Sequence, residues 1–398
     1  MVSFEDALRL MLESVRRLEP ARVPLADAVG LALAEDVASD VDMPPFDKSA
    51  MDGFAVIAAD LAALPATLPV AQEIPAGAVP TGPLLPGQCA RIMTGAPLPQ
   101  GADSVVRIED TTPGPEPRRV TFAKPIAAGA NVCRQAEDVA RGDLVLRAGH
   151  VVRPLEVPTL AACGLAQVPV YRRPTVAVLS TGDEVVPVAQ VPGPGQIRDA
   201  NSAYVAARLR LLGIEAALLG IAPDEPAGLK AALAEGMKCD ALAVSGGVSA
   251  GDFDLVPGIL AELGTEVLFD SVAMQPGRPT VFGRCGRTAV FGLPGNPVSV
   301  VVGTELFLVP ALRAMMGYRD PLPPRRRARL AEAATHRPGR IAHVPGALDE
   351  RSGLVRPLPY HGSAHVHALS RANCLIVLPA DEERVEAGTP VEVVLLLQ

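Results

Sequence analysis

Hydrophobic residues near the start of the chain recur at the spacing of one helix face. The apolar positions with this spacing are Leu8, Met11, Leu12, Val15 and Leu18. Ser3 precedes them, and Asp6 follows Ser3 by three residues, which is the pattern of a capping box. We expect a helix over residues 3 to 18 that belongs to the scaffold of the protein.

Two other regions show short apolar runs that Pro and Gly interrupt, which is typical of β structure. The first lies between about residues 53 and 139 and includes LPVAQEIPAG and RVTFAKPIAAGANV. The second begins at about residue 325 and includes LVRPLPY, CLIVLP and TPVEVVLLL. We expect a small β domain inserted in the first region and a C-terminal β barrel in the second.

Strand-like and helix-like segments alternate from Pro174 to about Gly317. The predicted strands are TVAVLS, IEAALLGIA, DALAVSGG, TEVLFDSVAM and TAVFGLPGN. One predicted helix, NSAYVAARLRLLG, is capped by Asn201 and closed by Gly213, and a long helix follows from about Pro297 to Met316. Such alternation predicts a doubly wound α/β domain, in which ligands bind beyond the carboxyl ends of the strands.

Length and composition indicate a multidomain globular protein. The chain has 398 residues, of which 49% are apolar and 20% are charged. Proline, with 40 of the 398 residues, is about twice as frequent as its usual ~5%. This favours loops and β structure over long helices. The net charge of −8 provides no basic field for nucleic acid or an anionic membrane, so any anion must be bound locally.

Cysteine spacing and hydropathy favour a cytoplasmic protein. No two of the six cysteines have the two-residue gap of a zinc or redox motif, so we expect reduced thiols. The first residues, MVSFEDALRL, lack the basic flank and apolar stretch of a signal peptide. No segment reaches the ~18 uninterrupted apolar residues of a membrane span.

Three Gly-rich loops follow predicted strands of the α/β domain: Ser180–Glu184, Ser245–Asp254 and Gly292–Pro297. Gly lets the backbone approach a ligand and turn its N–H groups toward phosphate or another oxyanion. A single such loop is more often only a turn, but three at strand ends favour one common site. The basic residues Arg198 and Arg278 lie in nearby loops and match oxyanions, although either could be a solvated surface charge.

Carboxylates occur within these anion-binding loops. Asp183, Glu184, Asp252 and Asp254 lie in them, and Asp224 ends another strand. Because carboxylates repel phosphate, the combination predicts Mg²⁺ between them, since this cation takes one or two carboxylates together with phosphate oxygens. Asp254 could equally cap the helix LVPGILAEL.

Two Pro-containing segments before the α/β domain present polar residues on rigid backbone. DMPPFDKSAMDGFAV carries Asp47, Lys48, Ser49 and Asp52, and RIMTGAPLPQGADSVVRIED carries Thr94. Rigid polar loops often carry function, but these segments could also be stiff domain junctions.

The chain resembles the molybdopterin molybdenumtransferases, whose eukaryotic relatives include the E domain of gephyrin. The resemblance runs from end to end through PPFDKSAMDGFAV, RIMTGAPLPQGADSVV, AEDV, STGDEVV, IRDANS, SGGVSAGDFD, PGRP and GLPGNPVSV. It implies an elongated homodimer with a discontinuous helical scaffold (1–52 and 140–173), an inserted β domain (53–139), an α/β molybdopterin-binding domain (174–318) and a C-terminal β barrel (319–398). It also implies that adenylated molybdopterin and molybdate give molybdenum cofactor and AMP with the help of Mg²⁺.

The resemblance assigns roles to individual positions. Catalytic roles in a cleft shared by two subunits fall on Asp52, Asp138 and Glu184, and metal ligation on Glu184, Asp224 and Asp254. Loop position and resemblance together predict substrate binding by Thr94, Ser180, Thr181, Gly182, Arg198, Asn201, Asp224, Ser245, Gly246, Gly247, Ser249, Asp254, Arg278, Pro294, Gly295, Asn296 and Pro297. The expected partners are the molybdopterin adenylylating enzyme and apo-molybdoenzymes or their chaperones.

Two departures from the family pattern concern molybdate. The family usually has Lys-Pro-Gly-Lys-Pro where this chain has Gln275 and Arg278 in place of the lysines, and His343 and Pro345 stand roughly where an aromatic residue and an Arg are usual. A scaffold protein without turnover is therefore one alternative. A molybdopterin adenylyltransferase is another, since the α/β domain alone resembles those enzymes. A metal site at His361, His365 and His367 is disfavoured because no second ligand cluster accompanies them.

Overall fold

The structure, a computed structural model, describes residues 1–248, 255–359 and 362–396. The chain forms two compact units. The larger unit contains residues 1–35, 148–153 and 167–398, and the smaller unit contains residues 36–147 and 154–166. The four domain limits drawn from the sequence stay predictions.

The smaller unit is built on a six-stranded sheet. In spatial order its strands are Ser104–Arg107, Gly53–Val56, Cys89–Ile92, Ala66–Ile74, Arg119–Phe122 and Thr111–Pro113. Only Ala66–Ile74 and Cys89–Ile92 pair in parallel, and the other pairs are antiparallel. Two strand pairs and a helix complete the unit: Lys48–Ser49 with Val132–Cys133, Val37–Ala38 with Leu144–Leu146, and Val157–Ala162.

A second six-stranded sheet forms the centre of the larger unit. Its strands, in order, are Ala216–Ala222, Val176–Thr181, Ala241–Ser245, Thr288–Leu293, Val281–Cys285 and Glu266–Phe269. The first four strands pair in parallel, and the last two pairings of the order are antiparallel, so that only Val281–Cys285 runs against the other five; this confirms the predicted mostly parallel sheet. The flanking helices are Ala200–Arg210, Pro226–Gly236, Val256–Glu262 and Pro297–Met315.

Alternate residues of the central strands enter two different cores. Val176 and Val178 belong to one apolar cluster, whereas Ala177 and Leu179 belong to another. Successive side chains of a strand point to opposite faces, so a strand that is apolar at every position requires cover on both faces. This is why TVAVLS predicted a sheet between two layers of helices.

The helical stretch Pro297–Met315 changes its winding in the middle. α-Helical turns at Pro297–Gly303 and Val309–Met315 flank a π-helical turn at Thr304–Leu308. Among the described residues this is the one helix long and apolar enough to cross a membrane by length and composition, but 94% of it is buried inside the protein. It has the burial of a core helix.

The N-terminal helix is shorter than predicted. It spans Phe4–Ser14, and the Ser3 hydroxyl accepts a hydrogen bond from the Asp6 amide at 3.0 Å, as a capping residue should. Val15 is already extended, and the Leu18 amide donates to the Met315 carbonyl. Leu18 is nevertheless buried, so the apolar periodicity continues past the end of the helix.

The C-terminal region forms the predicted closed barrel. Its strands are Arg325–Leu330, Ile341–Asp349, Leu354–Pro357, Cys374–Leu378 and Pro390–Leu395. Each strand has two neighbours, and the pairing of Ile341–Asp349 with Cys374–Leu378 closes the ring. The strand pair of Pro20–Pro24 with Gln167–Tyr171 and the short pairing of Ala334–Thr335 with Arg384–Val385 also belong to the larger unit. All six cysteines of the chain are free thiols.

Candidate functional site

A cavity lies at the carboxyl ends of the central parallel strands. Ser180, Ser245 and Leu293 are in register across three adjacent strands, so the loops that follow them meet at one edge of the sheet. The cavity there has a volume of about 410 Å³. Its walls include Ser180, Thr181, Gly182, Glu184, Arg198, Asn201, Asp224, Ser245, Gly246, Gly247, Pro279, Pro294, Gly295, Asn296 and Pro297. We call it the loop cavity.

The loop cavity brings together most of the residues predicted from the three Gly-rich loops. Arg278 is not in its wall, although the next residue, Pro279, is. Ser249 and Asp254 lie outside the described residues, as does Asp252. Thr94, Asp52 and Asp138 belong to the smaller unit. The assignment of a ligand-binding role to each wall residue stays a prediction.

Two glycines allow the loops to pack as they do. Gly182 has φ +133°, and a Cβ there would lie 2.6 Å from the Glu184 Oε2 atom. Gly246 has φ +93°, and a Cβ there would lie 2.6 Å from the Thr181 carbonyl oxygen. Side chains at these positions would therefore displace the Glu184 carboxylate or separate two loops, which only Gly avoids.

Asn201 joins two loops and does not cap its helix. Asp199 is the capping residue of Ala200–Arg210, since its Oδ1 accepts from the Ser202 amide at 3.0 Å. This corrects the sequence prediction. Asn201 Nδ2 instead donates to Ser245 Oγ and to the Gly295 carbonyl, each at 2.8 Å. The side chain thus ties the second Gly-rich loop to the third.

The two hydrogen bonds fix which way the Asn201 amide faces. Because the Gly295 carbonyl only accepts, the nitrogen must lie on that side, and Oδ1 faces the other way. Within the described part of the chain, Asn201 Oδ1 and Thr181 Oγ1 are buried without a hydrogen-bond partner. Buried polar groups are normally paired, so these two atoms are suited to a ligand.

Asp199 also holds the first loop, a role the sequence reading missed. Ser180 Oγ donates to Asp199 Oδ1 at 2.9 Å and lies 2.7 Å from Ser202 Oγ. The only signal in IRDANS was that an Asp two residues before Asn201 is itself a good capping residue. The pattern did not reveal that the cap would also bind a serine of another loop.

The carboxylates of the loop cavity suit a hard cation bound together with phosphate. Glu184 and Asp224 both line it, and the Asp224 amide donates to Asp183 Oδ1 at 3.1 Å. The described residues contain no group of three His, Cys, Asp or Glu side chains that could hold a metal ion by themselves. Mg²⁺ does not need such a group, because it takes one or two carboxylates plus phosphate oxygens and water. The donor set therefore fits this cation.

In the smaller unit, Asp52 and Thr94 form a local pair. The Thr94 amide and hydroxyl both donate to Asp52 Oδ1 at 2.7 Å. The backbone hydrogen bond from Thr94, followed by the hydroxyl, lowers the pKa of Asp52 and keeps it ionised. Asp138 is exposed, and its amide donates to the Met43 carbonyl at 3.0 Å.

Both carboxylate oxygens of Asp47 accept hydrogen bonds from a distant segment of the chain. Arg134 Nη1 donates to Asp47 Oδ2 at 2.7 Å, and the Gln135 amide donates to Oδ1 at 2.8 Å. The backbone hydrogen bond lowers the pKa of Asp47, with the Arg134 bond as a further cause. Asp47 therefore joins two distant segments of the smaller unit, and whether its segment is a domain junction stays a prediction.

Comparisons with known proteins agree over the whole chain. The MoeA N-terminal region (domain I and II) matches residues 2–164, a probable molybdopterin binding domain matches 177–314, and the MoeA C-terminal region (domain IV) matches 327–396. Molybdopterin molybdenumtransferase 2 of Mycobacterium tuberculosis is 38% identical and covers 99% of both chains. The molybdopterin molybdenumtransferase of Bacillus subtilis is 36% identical over 99% of this chain and 94% of its own.

The chain belongs to the MoeA family of molybdopterin molybdenumtransferases. A solved structure of a molybdopterin biosynthesis MoeA protein from Pyrococcus horikoshii agrees with this, with a TM-score of 0.86, 32% identity and 99% coverage of each chain. The family and the fold class expected from the sequence motifs are confirmed.

Two of the residues that depart from the family pattern, Gln275 and His343, have defined surroundings in the structure. Gln275 Nε2 donates to the Arg337 carbonyl and lies 2.7 Å from His336 Nδ1. The Gln275 amide therefore links the α/β region to the barrel region by hydrogen bonds. His343 is fully buried, with its ring 5.0 Å from the Phe4 ring, and burial lowers its pKa to about 3. His343 is a neutral core residue in this fold.

Only part of the segment that carries Ser363 and the three clustered histidines belongs to the described residues. The Ser363 carbonyl accepts from the Val298 amide at 2.9 Å, one residue after Pro297. His361 lies outside the described residues. The disfavoured metal site at these histidines therefore remains untested.

Proposed function

We propose that this chain is a molybdopterin molybdenumtransferase that converts adenylated molybdopterin and molybdate into molybdenum cofactor and AMP. The observation that carries the proposal is the loop cavity, where three Gly-rich loops, two carboxylates and an oriented Asn201 acceptor meet at the carboxyl ends of parallel strands. Full-length similarity to molybdopterin molybdenumtransferases supports the same reaction.

The residues around the loop cavity have complementary roles in this proposal. Backbone N–H groups of Gly247 and Gly295 bind phosphate oxygens, and Arg198 adds positive charge. The Oδ1 atom of Asn201 accepts an N–H or O–H from the substrate. The further predicted substrate ligands are Thr94, Ser249, Asp254 and Arg278.

We assign Mg²⁺ to Glu184 and Asp224, with Asp254 as a further ligand. When bound, the cation would neutralise charge on the phosphoanhydride that links molybdopterin to AMP. The Glu184 carboxylate lies against Gly182, where a Cβ would be 2.6 Å from its Oε2 atom. Asp52 and Asp138 complete the catalytic carboxylates, and Thr94 holds Asp52 in its ionised form.

The proposal also covers the location, the oligomeric state and the partners of the protein. The protein acts as a cytoplasmic homodimer, receives adenylated molybdopterin from the adenylylating enzyme and passes the cofactor to apo-molybdoenzymes or their chaperones. Its net charge of −8 supports neither a nucleic-acid nor a membrane partner.

The test is reconstitution of an apo-molybdoenzyme with purified protein, adenylated molybdopterin, molybdate and Mg²⁺. We expect cofactor formation with release of AMP. Ligand binding without cofactor formation would favour a scaffold protein, to which the loss of lysine at Gln275 points. Consumption of ATP with unmodified molybdopterin would favour an adenylyltransferase.

Glu184→Gln tests the catalytic assignment. We expect turnover to fall at least about 100-fold while the thermal unfolding midpoint stays close to wild type, because Glu184 is exposed. Glu382→Gln makes the same chemical change at an exposed barrel position and should leave turnover unchanged. Wild-type turnover of Glu184→Gln would remove this residue from the catalytic set.

A further inference from the structure

Another cavity of the larger unit lies between helix Ala200–Arg210, the helical stretch Pro297–Met315 and the barrel region. Its volume is about 400 Å³, and among the described residues it shares no wall residue with the loop cavity. Apolar and charged side chains both line it, among them Leu211, Val301, Leu369, Leu396, Arg208 and Glu305. We call it the barrel-side cavity.

An ion pair in the wall of this cavity leaves part of a guanidinium group unused. Arg208 Nε donates to Glu305 Oε1 at 2.6 Å, and the Tyr204 hydroxyl donates to the same oxygen at 2.7 Å. The Arg208 side chain is only 4% exposed. Within the described part of the chain, both Nη atoms of Arg208 are buried without a hydrogen-bond partner. Because buried donors are normally paired, these two atoms call for an acceptor.

The buried charges around this ion pair do not balance. Arg313 is 8% exposed, and Arg208 and Glu305 both act on its charge. Burial, followed by the positive charge of Arg208, lowers the pKa of Arg313. Arg nevertheless stays protonated in proteins, so two buried guanidinium groups face one buried carboxylate. An uncompensated buried charge is costly, and an anion in the barrel-side cavity would compensate it.

The unused edge of Arg208 has the geometry that binds a carboxylate. With Nε bound to Glu305, Nη1 and Nη2 are the remaining pair of donors, and such a pair matches the two oxygens of one carboxylate. Glu305 itself lies in the π-helical turn Thr304–Leu308, and turns of this kind are frequent at functional sites. Leu211 is 64% exposed, so the cavity is open to solvent on that side.

We propose that the barrel-side cavity binds a small organic carboxylate, with its oxygens on Nη1 and Nη2 of Arg208 and its apolar body against Val301 and Leu369. The carboxylate supplies the missing negative charge, and the apolar body removes the cavity wall from water. An inorganic anion provides only the first of these contributions. The inference is independent of the proposed function, because the barrel-side cavity and the loop cavity have different walls.

Binding of hexanoate, hexanamide and sulfate to the wild-type protein, measured by calorimetry, tests the chemistry of the ligand. Hexanoate and hexanamide share one hydrocarbon chain and differ in charge. We expect hexanoate to bind at least about tenfold more tightly than hexanamide, and sulfate to bind more weakly than hexanoate. Equal binding of hexanoate and hexanamide, or no binding of hexanoate, would overturn the proposal. Sulfate that bound as tightly as hexanoate would overturn the organic ligand.

A matched pair of variants tests the location. Leu211 lines the barrel-side cavity, whereas Leu218 is similarly exposed, at 59%, and does not line it. Leu211→Glu brings a carboxylate to the cavity that repels hexanoate or pairs with Arg208 in its place, so the Kd of hexanoate should rise at least about tenfold. Leu218→Glu should change this Kd less than about twofold. Equal Kd values for the two variants would place the hexanoate site elsewhere.

The role of Arg208 is tested by removing both members of the ion pair. Arg208→Met with Glu305→Met leaves neither partner as an unpaired buried charge, and such replacements are often neutral for stability. This double variant should lose the preference for hexanoate over hexanamide, and an unchanged preference would contradict the role of Arg208. The Leu211 and Leu218 variants keep the test decisive if the double variant does not fold.

A carboxylate side chain of a second copy of this chain is the other source of the same chemistry. Sedimentation of the wild-type protein with and without hexanoate distinguishes the two sources. We expect the oligomeric state to be the same in both samples. Dissociation of an oligomer into monomers by hexanoate, but not by hexanamide, would show that a neighbouring copy fills the cavity and would overturn the free ligand.

Discussion

Replacing Asn201 by Asp tests whether this side chain holds the loop cavity together. The substitution keeps the shape of the side chain but replaces the Nδ2 donor by an oxygen. Ser245 can turn its hydroxyl to donate, whereas the Gly295 carbonyl would face a carboxylate oxygen at about the present 2.8 Å. The loss is one hydrogen bond plus one repulsive contact that is open to solvent, so we expect the free energy of unfolding to fall by about 1–2 kcal/mol.

The expected effect on ligand binding is larger than the effect on stability. Separation of the Ser245 and Gly295 loops disturbs the backbone of both loops to which we assign phosphate binding, and the new negative charge opposes an anionic ligand. We therefore expect the Kd of AMP to rise by at least about tenfold, which corresponds to about 1.4 kcal/mol. Calorimetry gives the Kd, and thermal unfolding shows whether the variant remains folded.

Gln196→Glu is the matched control. It makes the same change from amide to carboxylate near the same loops, but Gln196 Oε1 accepts a hydrogen bond from the Gly193 amide at 3.1 Å, which a Glu oxygen can retain. We expect little change in stability or in the Kd of AMP. If Asn201→Asp behaved like Gln196→Glu, the idea that Asn201 joins the loops would be refuted.

Two further predictions concern the core of the larger unit. Glu305→Gln should lower the free energy of unfolding by about 3–5 kcal/mol, as measured by chemical denaturation. The reason is that the Arg208 side chain, which is 4% exposed and lies 2.6 Å from Glu305, would keep a buried, unpaired charge. A loss below about 1 kcal/mol, as expected for an exposed ion pair, would contradict this. His343 has a pKa lowered to about 3 by burial and secondarily by Arg325, so the unfolded chain binds a proton at higher pH than the folded one. Its contribution to stability is therefore complete above the ordinary pKa of 6.5 and is lost as the pH falls from 6.5 toward 3. His343→Leu should make thermal stability less dependent on pH across that window, and an unchanged slope would argue against a buried neutral histidine.

Local patterns in the sequence predicted most of the elements and the edge of the sheet where the site lies. Strands such as TVAVLS are apolar at every position, and only a sheet covered on both faces buries all of their side chains. The Gly-rich loops were predictable because each follows such a strand, and parallel strands place their carboxyl ends together. The burial of these strands on both faces and the common edge of their carboxyl ends were sufficient to predict that Ser180, Ser245 and Pro294 line one cavity.

Hydrogen bonds between distant residues could not be predicted from the same patterns. Asn201 looked like a helix cap because Asn is a good capping residue, but Asp199 was an equally good candidate. The choice depends on Ser245 and Gly295, which lie 44 and 94 residues further along the chain. The first helix also ends earlier than its periodicity predicted, and the Leu18 amide beyond it donates to the Met315 carbonyl of a distant helix.

The sequence by itself determined the family, the fold class and the chemical character of the site, because these depend on residue types and on the order of strands, helices and Gly-rich loops. Only the tertiary structure decided which polar atoms are left without hydrogen-bond partners, and that the Gln275 amide contacts His336 and the Arg337 carbonyl. The physical reason is that a hydrogen bond or a cavity wall depends on distances between residues far apart in the chain, and folding fixes those distances.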